Sequence, residues 1–118
     1  DANISGNNSY QVLFFNAGHQ YRLASGETQT LNGNLVARGC SGLISIYASG
    51  NNQANIAKND GNINVSFVKL HSIKGNLSGS YEFNAYNSID KGNNQGINIY
   101  PDSRAYHKAT GEPDIIVP

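Results

Sequence analysis

At 118 residues the chain has the length of one domain, enough to bury a modest core without disulfides or metals. Eight Lys plus Arg balance eight Asp plus Glu, so the composition carries no basic field that would mark nucleic acid or an anionic membrane as a partner. Charged residues form only 14 % of the chain, against about 25 % in typical globular domains, while Asn is abundant and Gly reaches thirteen, so amides and hydroxyls keep the surface wet.

The predicted elements are short and of period two. Tyr10, Val12 and Phe14 alternate with polar or outward positions, and the apolar run over residues 12–15 is far below a membrane span. No charged-then-apolar leader opens the sequence, so Asp1 reads as a mature start or an artificial one, and no membrane insertion is expected. Tyr21 with Leu23, Leu35 with Ala37, and Ile44 with Ile46 each supply two inward candidates. Ile63, Val65 and Phe67 alternate with Asn62, Asn64 and Ser66, and Tyr81, Phe83 and Ala85 alternate with Ser80, Glu82 and Asn84. Ile97 and Ile99 close the series, giving about eight short strands.

Gly and Asn clusters separate these runs, as expected of residues that enter left-handed turn conformations at little cost. Asn32-Gly33 suits a type I′ hairpin turn or the corner of a coiled solenoid, and Gly75-Asn76 reads as another breaker. After Tyr100 the alternation stops among Pro101, Pro113 and Pro118, so residues 1–100 form one all-β domain and 101–118 a tail or linker, with a short strand at residues 115–117. The single cysteine, Cys40, forbids an internal disulfide and reads as a buried thiol or an intermolecular bridge.

Taken in order, these pieces resemble a repeat of long secreted and cell-surface proteins of gliding-type bacteria, over roughly residues 10–100. Its first piece matches Val12-Leu13-Phe14-Phe15-Asn16-Ala17-Gly18 followed by Ser25-Gly26-Glu27-Thr28-Gln29-Thr30-Leu31-Asn32-Gly33. Its middle matches residues 43–50 and Asp60-Gly61-Asn62-Ile63-Asn64-Val65-Ser66-Phe67. Its last piece resembles Ala85-Tyr86-Asn87-Ser88-Ile89-Asp90-Lys91-Gly92-Asn93-Asn94-Gln95-Gly96, with Ile97 where the family commonly carries Trp. The resemblance implies a short right-handed parallel β-solenoid, β-helix-like, at the cell surface, and no ligand; the period alone fits a β-sandwich or jelly roll equally well.

No catalytic constellation emerges. His19, His71 and His107 are scattered, with no nucleophile motif around them, and the first two read as exposed polar positions. Glu27 and Glu82 are the only glutamates of the β region, and Glu82 alternates outward between Tyr81 and Phe83, which argues against a glycosidase pair. Asn59-Asp60-Gly61-Asn62 and Asp90-Lys91-Gly92-Asn93-Asn94 place oxygens at turn spacing, but each offers one carboxylate beside a lysine, so turn formation rather than calcium accounts for them.

The expectation is therefore a non-catalytic extracellular module, structural or adhesive, whose partners are copies of itself or neighbouring domains met through strand edges, with no cofactor, metal or nucleic acid. A carbohydrate-binding module is the alternative: tyrosines supply platforms and asparagines hydrogen bonds. Its candidate residues are Tyr47, Asn51, Asn52, Tyr86, Asn93, Asn94 and Tyr100, at strand ends or in turns, with Tyr106 a further exposed tyrosine to test.

Overall fold

The computed structural model describes residues 2–39 and 41–101. The sequence readings of Cys40, Tyr106, His107 and the segment 102–118 lie outside the described residues.

Twelve strands follow one another with no helix among the described residues: β1 (Ala2–Ile4), β2 (Asn8–Phe15), β3 (Gln20–Leu23), β4 (Thr28–Ala37), β5 (Ile44–Ala48), β6 (Ala54–Lys58), β7 (Ile63–Ser66), β8 (Val68–His71), β9 (Ile73–Leu77), β10 (Phe83–Tyr86), β11 (Ile89–Asp90) and β12 (Asn98–Tyr100). They assort into a five-stranded sheet β1-β3-β5-β8-β11, a four-stranded sheet β2-β4-β6-β9 and a three-stranded sheet β12-β10-β7. Every ladder is parallel, for example Tyr21 on Ile46 and Ile46 on Leu70, so the chain coils and stacks into a β-solenoid of about four turns. Parallel pairing throughout removes the sandwich and jelly-roll alternative, whose sheets are antiparallel.

The three sheets are the sides of the coil, here called first, second and third in the order five-, four- and three-stranded. In the two opening turns a single long strand serves two sides. The end of β4 reaches the third side through the parallel bridge of Arg38 to Ser66 and the bond from Gly39 N–H to the Ser66 carbonyl, 2.9 Å.

Alternation puts Leu23, Leu31, Ile44, Ile46, Ile56, Ile63, Val65, Leu70, Ile73 and Phe83 in one continuous core, with small Ala37, Ala54 and Ala85 buried among them. Phe15 stacks on Tyr21 at 4.1 Å between ring centroids, and the Tyr21 hydroxyl accepts the Asn16 N–H at 2.7 Å, so this buried phenol is satisfied. The corners are narrow. Phe67, Ser72 and Asn87 sit at positive φ and turn the chain from one side to the next within a residue or two.

Five expectations change. Val12 and Phe14 face outward rather than inward, because β4 carries one extra residue between its pairings Leu31 with Tyr10 and Asn34 with Val12. This bulge switches the inward phase of β2 from Tyr10 to Leu13 and Phe15. Asn32-Gly33 is that bulge, inside β4, and makes neither a hairpin nor a corner. Phe67 leaves the inward row at its positive φ, and Tyr81 stays outside, where its hydroxyl donates to Asp60 Oδ1 at 3.0 Å. Gly75 breaks nothing: it lies within β9, and an added Cβ would meet the Gly96 carbonyl oxygen at 2.8 Å.

Candidate functional site

A solenoid displays one outward residue per turn at each register position, so its surface is a set of columns with a step of about 4.8 Å. Three regions of this surface carry the candidate residues.

On the third side, Asn64, Asn84 and Asn98 form an amide ladder, with Asn84 Nδ2 donating to Asn64 Oδ1 at 3.1 Å and Asn98 Nδ2 to Asn84 Oδ1 at 3.0 Å. Beside it Tyr86 and Tyr100 stack at 5.3 Å, nearly parallel. At the corner between the first and second sides, Asn93 and Asn94 turn their amides onto the protein itself. Asn93 Nδ2 donates to Ser72 Oγ at 2.9 Å and Asn94 Nδ2 to Asp90 Oδ1 at 2.7 Å, while Asn94 Oδ1 accepts the Ile73 N–H at 2.9 Å. Asn51 and Asn52 are exposed in the turn above, and the Asn51 carbonyl accepts from Asn93 at 3.3 Å. Tyr47 stands apart, outward on the first side. The seven carbohydrate candidates are thus spread over three places, and only Tyr86 with Tyr100, and Asn51 and Asn52 with Asn93 and Asn94, come together.

No family model, curated protein or solved structure matches the chain. The chemistry of the surface therefore carries the functional argument.

The end of the coil at β1 and β2 carries a long strand edge. Among the described residues β2 pairs only with β4, so an eight-residue strand presents its other edge. Half of this end is closed by polar bonds around buried Gln29, whose Oε1 accepts from Asn8 at 3.0 Å and from Tyr10 at 2.9 Å, and whose Nε2 donates to the Gly6 carbonyl at 2.8 Å. Glu27 accepts the Gly6 N–H there as well. The other half, residues 12–15, has no such cover among the described residues, and Val12 and Phe14 are 54 % and 63 % exposed beside half-buried Val36.

The sequence pattern did not mark this patch, since the alternation made Val12 and Phe14 core residues. The extra residue at Gly33 was the available signal. Among the described residues no three His, Cys, Asp or Glu side chains gather into a metal-holding group, and no helix is long and apolar enough to cross a membrane.

Proposed function

We propose that the chain is a non-catalytic structural and adhesive module of a bacterial surface protein, working outside the cell by adding a neighbouring β element to the open edge of β2. The observation that carries this reading is the pairing of an edge unmatched among the described residues with exposed Val12 and Phe14 on the same eight residues. A strand docked there gains a ladder of backbone hydrogen bonds, and burying the two side chains contributes on the order of 1.5–3 kcal/mol each. The contact joins unlike surfaces, since a parallel rung adds the tail of one coil to the head of the next; it therefore propagates instead of closing into a dimer. The low charge and Asn-rich turns suit a spacer, and the resemblance to surface repeats supports the location.

Sedimentation velocity across a wide concentration range tests the reading, combined with the sequence flanking this segment in the gene. Expected are concentration-dependent oligomers or adjoining β segments of like pattern, with self-association lost in the Val12→Lys/Phe14→Lys pair while circular dichroism stays unchanged. A monomer at every concentration with no adjoining β segment overturns it.

A further inference from the structure

The first side of the coil carries a second surface feature, independent of the strand-edge reading. Its outward register positions run Asn3, Arg22, Tyr47, His71 in one column and Gln20, Ser45, Lys69, Ile89 in the next. The Lys91 N–H continues the ladder by donating to the Leu70 carbonyl at 2.8 Å, which sets Lys91 beyond His71. Gln20, Ser45, Tyr47, Lys69, His71 and Lys91 line a shallow cavity of about 160 Å³ on this face.

The charge on this side is mostly positive. Arg22, Lys69 and Lys91 occupy its outward positions, and of the described carboxylates only Asp90, on β11, shares the side. Glu27 accepts from Gly6, Asp60 from Tyr81, and Glu82 stands next to Phe83 at the start of β10. Asp90 itself engages Oδ1 with the Gly92 N–H at 2.8 Å and with Asn94 Nδ2 at 2.7 Å. Like-charged groups on successive turns repel one another, and an anion laid across them relieves this.

We propose that this face binds a linear acidic polysaccharide. Tyr47, half-buried and so held in place by its neighbours, lines the cavity and offers an aromatic ring for the apolar side of a sugar. Lys69 and Lys91, with Arg22 one turn before Tyr47, take the acidic groups through charge-assisted hydrogen bonds, and Ser45 and Gln20 meet hydroxyls. A neutral glycan leaves the cations unanswered. A nucleic acid draws its affinity from many phosphate contacts, and a chain of zero net charge with three cations on this face offers few.

The test is titration calorimetry of the full chain with polygalacturonate and with dextran sulfate, which separate carboxylate from sulfate as the acidic group. Neutral dextran, single-stranded DNA and phosphatidylserine vesicles are the comparison probes. At least one acidic glycan is expected to bind, more weakly as salt rises, and more tightly than every comparison probe. Lys69→Glu/Lys91→Glu is expected to weaken binding by more than about tenfold and Tyr47→Ala by about tenfold, while Arg38→Glu, whose cation lies at the third side, changes nothing. Circular dichroism checks each variant, and Lys69→Gln/Lys91→Gln replaces the reversed pair if that fails to fold. The proposal is overturned by silence from both acidic glycans, by dextran binding equally, by stronger binding of DNA or vesicles, or by variants that bind as the parent does.

Discussion

Gly33 on β4 lies directly against the carbonyl oxygen of Gln11 on β2, so that a Cβ added to Gly33 would stand 2.0 Å from that oxygen. The extra residue of the bulge fits between the two strands only because this position has no side chain. Gly33→Ala must push β2 away from β4 over its central residues, and the expected loss is about 2–4 kcal/mol in urea unfolding. Gly26→Ala is the comparison: its φ is +79° but nothing lies within 4 Å, so only backbone strain of about 1–2 kcal/mol applies. Equal losses at the two sites would show that the β2–β4 approach has no special cost.

Under the same bulge Lys58 is 6 % exposed, and its ammonium donates to the Gly33 carbonyl while its stem packs inside the coil. Two effects compete at this site: a charge-assisted bond and the desolvation of a cation. The bond answers a carbonyl that the bulge removes from the regular ladder, so the bond is expected to win. Lys58→Met keeps the stem and is predicted to cost about 1 kcal/mol, and Lys58→Ala, which also opens a cavity, about 3 kcal/mol. A Met variant with a higher urea midpoint than the parent would reverse this ranking.

The inward rows of the middle turns were legible because nothing interrupts their period: Ile44 with Ile46, Ile63 with Val65, and Phe83 with Ala85 are all buried as the alternation predicts. Alternation fails where one residue is added or turned. The bulge at Gly33 inverts Val12 and Phe14, and the positive φ of Phe67 takes it out of the row. About eight strands are legible in the sequence where twelve form among the described residues, because corners made by a single residue such as Ser72 leave no Gly or Pro between β8 and β9. The cationic face was invisible for another reason. Arg22, Tyr47 and His71 share a column only through the register, and unequal turn lengths hide their recurrence in the sequence.

Asn84 is the middle rung of the amide ladder and is 6 % exposed, so water is poorly placed to replace its partners. Asn84→Ala leaves Asn64 Oδ1 without its donor and Asn98 Nδ2 without its acceptor, and is predicted to cost about 1–3 kcal/mol. Asn76, exposed on the second side, makes one comparable bond to Asn55 Oδ1 at 3.3 Å, yet Asn76→Ala should change stability by no more than about 0.5 kcal/mol because water substitutes there. Parallel urea titrations of the two variants decide it, and equal effects would mean that burial gives the ladder no added worth.

The bond from the Tyr81 hydroxyl to Asp60 Oδ1, at 3.0 Å, ties the loop before β10 to the turn before β7. The phenol needs its proton to make the bond, and the adjacent carboxylate repels the phenolate, so the Tyr81 pKa is raised above tyrosine's ordinary value, first by the hydrogen bond to Asp60 and then by that group's charge. A folded-state pKa above the unfolded one means that the protonated phenol favours the native state. This contribution is whole below the unfolded pKa, near 10, and is lost as pH rises through the higher folded value. Ultraviolet titration of the parent minus Tyr81→Phe should therefore give a phenolate difference curve with its midpoint above that of free tyrosine, and Asp60→Asn should bring the midpoint down. Because Tyr81 is exposed, the stability change is small, and the spectroscopic midpoint is the sensitive measurement. A difference curve centred at or below the free-tyrosine value would show that the contact with Asp60 does not persist in solution.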